Sequence, residues 1–188
     1  MVKQNNPATV HQQEGESPEQ IITKFDDPSL EERHKAIAAL GRCGLPAVAP
    51  LITMLATAED NDHRWYAAMS LGTIGAEAIE PLLKALAENP DRDFRRYAAA
   101  ALGSMGGPAV EALIDAMGSE DAVLRGYISQ ALCRIGKPAV EPLTRRLDDA
   151  DALIRSCSSL TLWQMGETGL PSMVKRIQDE VAEDRNRP

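Results

Sequence analysis

A five-residue phrase recurs five times along this chain and restricts its fold more tightly than any other feature. It reads Leu40-Gly41-Arg42-Cys43-Gly44, Leu71-Gly72-Thr73-Ile74-Gly75, Leu102-Gly103-Ser104-Met105-Gly106, Leu132-Cys133-Arg134-Ile135-Gly136 and Leu162-Trp163-Gln164-Met165-Gly166. The closing glycines stand 31, 31, 30 and 30 residues apart. Self-similarity at a fixed period of this length marks a stack of like supersecondary units. Eleven residues before each glycine comes an arginine: Arg33, Arg64, Arg95, Arg125 and Arg155. Four residues earlier again come Ser29, Asp60, Asp91, Asp121 and Asp151.

Each unit decodes into two helices. The Ser or Asp is a natural N-cap, because its side-chain oxygen accepts from free amides of the first turn, and Ser29 with Glu32 has the spacing of a capping box. After the arginine, small or apolar residues recur at helical spacing, as in Ala67, Ala68, Leu71 and Ile74, and the glycine ends this A helix with a left-handed turn. A second stripe follows: Val48, Leu51 and Leu55; Ile79, Leu82 and Leu86; Val110, Leu113 and Met117; Val140, Leu143 and Leu147; Leu170, Met173 and Ile177. This is a B helix. Pro46, Pro108 and Pro138 fit its first turn, where a missing amide costs nothing, while Pro50, Pro81 and Pro142 mark either a later start or a kink.

One such pair cannot bury both stripes, so the pairs must stack and share a core. The expected fold is therefore an all-α, right-handed α-α superhelix of about five helix pairs, over residues 26–56, 57–87, 88–118, 119–148 and 149–178. Ser17-Pro18-Glu19-Gln20 carries a second capping box, and Ile21, Ile22 and Phe25 give a short helix that covers the first pair. The ordered array then spans 17–182, with polar residues 1–16 and 183–188 read as disordered tails.

The phrase Asp-x-x-x-Arg-x-x-Ala-Ala-x-x-Leu-Gly-x-Ile-Gly resembles the HEAT-like repeat associated with phycobilisome lyases and covers about four fifths of the chain. The resemblance implies a solenoid of the HEAT kind. It also implies that Asp60, Asp91, Asp121 and Asp151 join Arg33, Arg64, Arg95, Arg125 and Arg155 in a hydrogen-bonded ladder between successive repeats. Function is left open, because the same repeat serves scaffolds, adaptors and a few enzymes.

Composition and residue pattern narrow the choice. A formal net charge of −8 argues against a nucleic-acid binder, since phosphate neutralisation needs a basic face. No apolar run is long enough to span a bilayer and the first twenty residues hold no leader-like apolar stretch, which points to the cytoplasm. Cys43, Cys133 and Cys157 form no Cys-x-x-Cys pair; the first two fall in core columns, and Cys157 is the one expected near the surface. The dipeptides His34-Lys35 and His63-Arg64 put cations where a di-metal centre would need carboxylates, so these histidines read as structural or solvent-facing and no metal or other cofactor is expected. Neither a Ser-His-Asp nor a Cys-His arrangement is visible, so the chain does not read as an enzyme.

The leading reading is a scaffold or adaptor that binds another protein along the concave face formed by the B helices. Residues five and nine after each closing glycine should face outward there, including Glu80, Lys84, Glu111, Asp115, Glu141, Arg145 and Lys175. The Glu80–Lys84 and Glu141–Arg145 pairs have the order that supports a helix. The alternative, suggested by the family resemblance alone, is a subunit of a lyase-type or chromophore-inserting enzyme. Tyr66, Tyr97 and Tyr127 should line up along the A helices, as inter-repeat packing or as a binding stripe. Trp65 and Phe94 read as surface or edge residues. In the column Gly41, Gly72, Gly103, Cys133 and Trp163, the final indole is expected either to cover the open end of the core, with a contact between copies of the chain, or to tuck within its own repeat.

Overall fold

The computed structural model describes residues 16–185. Among them there is no strand, and eleven α-helices follow one another. A capping helix α1 (Pro18–Ile22) runs into a 3-10 turn (Thr23–Asp26). Then come α2 (Leu30–Cys43) and α3 (Leu45–Thr57), α4 (Asn61–Ile74) and α5 (Ala76–Glu88), α6 (Arg92–Ser104) and α7 (Val110–Ala116), α8 (Ala122–Ile135) and α9 (Lys137–Arg145), α10 (Ala152–Gln164) and α11 (Leu170–Arg185). Even-numbered helices from α2 to α10 are the A helices, and each packs on the next. Odd-numbered helices from α3 to α11 are the B helices. The chain is an α-solenoid.

Local chemistry sets these boundaries. Ser29, Asp60, Asp91, Asp121 and Asp151 each accept from first-turn amides of the following A helix. Ser17 and Gln20 form a reciprocal capping box. Ser29 forms only half of one, because its own amide donates to Asp27 Oδ1 at 2.8 Å and the Glu32 carboxylate takes the Lys35 ammonium at 2.9 Å. The closing glycines have φ between 55° and 74°, but at Gly75 ψ is −128°, outside the left-handed helical well expected from the sequence. Only a residue without Cβ sits comfortably there, and this conformation lets a B helix start at once. Pro50, Pro81 and Pro142 accordingly lie inside α3, α5 and α9 rather than marking a later start.

The core is continuous. Leu40, Leu71, Leu102, Leu132 and Leu162 of the A helices and Leu51, Leu82, Leu113 and Leu143 of the B helices are fully buried. Neighbouring A helices approach closely at the glycine column. A Cβ on Gly103 would lie 2.8 Å from Arg134 Cδ and 3.2 Å from the Ala131 carbonyl oxygen. In the last interface small residues give way to a polar contact: Ser129 Oγ lies 2.9 Å from Thr161 Oγ1 and donates to Gln164 Oε1 at 2.8 Å.

Several side chains differ from the sequence reading. Phe94 is buried, not at an edge, because it occupies the inward side of the first turn of α6 beside its Asp91 cap. Trp65 is on the surface. Cys157 is half-buried against the core, like Cys43 and Cys133. Trp163 is 63% exposed, so it neither covers the core nor tucks between helices of its own repeat. Its column faces the position of a following repeat, and no such repeat is present among the described residues. Helix α11 runs to Arg185, so residues 183–185 are helical where a tail was expected. The tail expectations for residues 1–15 and 186–188 fall outside the described residues.

Candidate functional site

The B helices present the side chains that the spacing assigns to solvent. Glu80, Lys84, Glu111, Asp115, Glu141, Arg145 and Lys175 are all exposed, as are Ala49 and Thr53 at the N-terminal end of the same face. What the spacing does not reveal is how these groups pair. Lys84 lies 4.0 Å from Glu88 rather than pairing with Glu80, whereas Glu141 and Arg145 do approach, at 3.8 Å. Arg145 also crosses to Glu111 at 3.0 Å, joining α9 to α7.

The centre of this cluster is Arg146, one position past the five-and-nine spacing and part of the basic end that the sequence gives this groove. One of its nitrogens contacts Asp115 at 2.6 Å and Glu111 at 3.3 Å, and the other contacts Asp149 at 2.9 Å. Asp149, followed by Glu111 and Asp115, makes its guanidinium still harder to deprotonate than usual. The Asp149 carboxyl is held below the ordinary range by the Asp151 amide and then by Arg146. Arg176 of α11 pairs with Asp148, which it likewise holds low. The sequence signal for this hub is the run Arg145-Arg146-Leu147-Asp148-Asp149, in which opposite charges lie one helical turn apart. Exposed ion pairs of this kind add little stability, so their main effect is to neutralise and orient the C-terminal half of the face.

The N-terminal end of the face is different. Helices α1 and α3 and the start of α4 enclose an open cleft of about 870 Å³. Ile22, Ala49, Pro50, Met54 and Ala58 supply its apolar lining, with Glu19, Glu59, Asp60 and His63 at the edges. This cleft needs α1 against α3, a tertiary contact no helical spacing encodes. His63 sits between two carboxylates, with Nδ1 2.6 Å from Asp60 and Nε2 3.0 Å from Asp26. The cationic surroundings inferred from its sequence neighbours are therefore incomplete, since folding brings Asp26 from 37 residues away. The His63 amide is also the chief group holding the Asp60 carboxyl below the usual range. His34 is exposed. No group of three His, Cys, Asp or Glu residues among those described is arranged to hold a metal ion.

Of the arginine–aspartate ladder implied by resemblance, one rung is present among the described residues. Arg95 and Asp121 form it between successive columns, at 2.8 Å, with Arg95 itself buried. Arg125 donates to Ser119 O at 2.6 Å and Arg155 to Asp149 O at 2.6 Å, so each braces the loop before its own helix; Arg95 does so too, through Nε to Asn89 O. Arg33 reaches its own loop through Pro28 O at 3.4 Å and also donates to the Tyr66 hydroxyl at 2.8 Å, and Arg64 Nε is buried without a partner. The aspartates are already engaged by first-turn amides, which leaves the guanidiniums to satisfy loop carbonyls. Of the tyrosine column, Tyr66 is buried while Tyr97 and Tyr127 are half-buried. Tyr66 stacks on Phe25 with centroids 5.1 Å apart, Tyr97 lies under Arg96, and Tyr127 donates to Arg92 O in the preceding repeat.

Burial pushes the Cys133 thiol above its ordinary range, which disfavours the reactive thiolate. No helix among the described residues is long and apolar enough to cross a membrane.

A family model described as HEAT repeats matches residues 18–103, 48–125 and 79–162, three overlapping windows whose starts are displaced by about one repeat. The chain belongs to the HEAT-repeat family. A search of curated proteins finds no significant match to this HEAT-repeat protein. Among solved structures it is similar to the complex of CpcE and CpcF of phycocyanin lyase from Nostoc sp. PCC7120, at 21% identity and a TM-score of 0.37 over 88% of this chain and 71% of that one. It is also similar to a designed armadillo repeat protein in complex with the peptide (KR)4, at 18% identity and a TM-score of 0.33 over 86% of this chain and 91% of that one. An engineered protein matches at 18% identity with a TM-score of 0.33, over 90% of this HEAT-repeat chain and 89% of its own.

Proposed function

We propose that this HEAT-repeat protein is a non-catalytic scaffold that holds a protein partner along the exposed face of its B helices. The observation that carries this reading is the contrast between the two faces of the solenoid's polar chemistry. The arginine column and the capping aspartates are engaged in holding the A helices and their loops. The B face, by comparison, carries a row of exposed side chains, paired with one another in its C-terminal half, that leads into a large apolar cleft. Apolar clefts beside oriented polar groups are the usual form of a recognition surface.

The test uses residues outside the Arg146 cluster, so that binding is probed without disturbing pairs between α7 and α9. Full-length protein carrying Lys84→Glu with Lys175→Glu should lose its principal partner in pull-downs from native lysate read by mass spectrometry. A control on the A helices, Trp65→Ala with Arg96→Glu, should retain it. Retention by the first variant and loss by the second would move the site to the other face. Visible absorbance that co-purifies with the protein would instead favour the chromophore-inserting alternative.

A further inference from the structure

The cleft between α1 and α3 differs from the rest of the B face in how its charge is balanced. Glu19 and Glu59 stand at its edge without an ion pair or side-chain hydrogen bond among the described residues. The one basic group in the lining, His63, is already held between Asp60 and Asp26 and does not neutralise them. Lys24 on the nearby 3-10 turn is paired with Glu16. The floor is apolar: Met54 and Ala58 contribute carbon, and the hydroxyls of Thr53 and Thr57 are bonded to carbonyls of their own helix. At the opposite end of the face, the cleft between α9 and α11 mixes Lys175 and Arg176 with Glu141, Asp148 and Asp179, and Arg176 is paired with Asp148. One end thus carries uncompensated negative charge around an apolar floor, and the other is largely self-neutralised.

We infer that the N-terminal cleft is the anchoring point for a cationic segment of the protein partner, one whose apolar side chains enter between α1 and α3 while its lysines or arginines face Glu19 and Glu59. This rests on the scaffold reading and adds to it the partner's chemistry and its direction along the groove. The apolar floor supplies the burial that holds the segment, and unpaired carboxylates at the rim select its sign and speed its approach. An anionic segment would leave like charges facing each other beside a desolvated floor, which is the repulsive half of specificity.

The experiment measures fluorescence anisotropy of short labelled peptides with the full chain. One peptide alternates lysine and leucine, a second glutamate and leucine, a third lysine and glycine. The lysine–leucine peptide should bind, and its affinity should fall about tenfold with Glu19→Gln plus Glu59→Lys, two exposed positions whose change leaves the core intact. Met54→Gln, which removes apolar floor without adding charge, should weaken it by a similar factor, with circular dichroism verifying the fold, and added salt should weaken it further. Equal binding of the glutamate–leucine peptide, equal binding of the lysine–glycine peptide, or an affinity unmoved by the double variant would each overturn the assignment. So would concentration-dependent dimerisation of the chain that the double variant abolishes, because the occupant would then be a second copy. If the peptides fail while Lys84→Glu with Lys175→Glu still releases the native partner, the scaffold reading stands and the anchoring cleft alone falls.

Discussion

The two ends of the array meet the same problem and answer it differently. Each repeat leaves one side of its helix pair to be covered by a neighbour, so among the described residues the first and last repeats each have a side that no other repeat covers. At the N-terminal end α1 and the 3-10 turn fill the gap. Ile21 and Phe25 are buried, Phe25 stacks on Tyr66, the Ser17 capping box fixes the helix, and His63 reaches back to Asp26. At the C-terminal end α10 and α11 leave Leu160, Trp163, Val174 and Ile177 each more than half exposed. Position in the repeat therefore does not decide burial; the presence of a neighbour does. The column that presses Gly103 against Arg134 carries Trp163 into solvent.

Substitutions at the two ends should separate them by a wide margin. Phe25→Ala removes a buried ring from the capped end and should cost about 3–5 kcal/mol in urea or thermal unfolding, the range for large-to-small core changes. If it costs no more than a surface substitution, α1 is not a cap. Within the array, Gly103→Ala should cost roughly 1–3 kcal/mol, because its Cβ meets both the Arg134 side chain and a backbone carbonyl of α8 and must push two A helices apart. An unchanged melting temperature there would show that the stack yields more easily than its geometry suggests.

Acid should sharpen the contrast further. Asp121 is held low by the Leu124 amide and then by Arg95 in mid-array, and Asp148 is held low by Arg176 at the C-terminal end. A carboxyl depressed in the folded state stabilises it above the unfolded pKa, and that contribution is lost as pH falls through the folded value. Stability should stay level from pH 7 to about 5 and decline below about 4. Hydrogen exchange should register the loss first in α11, whose link through Arg176 and Asp148 is exposed, and later in α6 and α8, which share a buried interface. Simultaneous loosening of both regions would contradict this ordering. The smallest effect belongs to Trp163→Ala, which should change stability by no more than about 0.5 kcal/mol because the indole is largely in water already. A loss comparable to that of Phe25→Ala would mean that the open end is covered in solution.

The sequence by itself determined the helix pairs and their inward sides. Period, cap and glycine are local properties, and local spacing is enough to place Asp60 before α4, Gly75 after it and Leu71 in the core. It also placed Glu80, Lys84, Glu111, Asp115, Glu141, Arg145 and Lys175 on the solvent side, because a residue's direction on a helix follows from its count along the turn. Pairing was decided only by the tertiary structure. Arg146 meets Glu111 from 35 residues away, His63 meets Asp26 from 37, and the arginine column satisfies loop carbonyls that a repeat motif does not mention. Which carboxylates remain unpaired, where α1 closes a cleft, and whether Trp163 has anything to pack on depend on distances across the stack. Those distances are set by neighbouring repeats, and no single repeat encodes them.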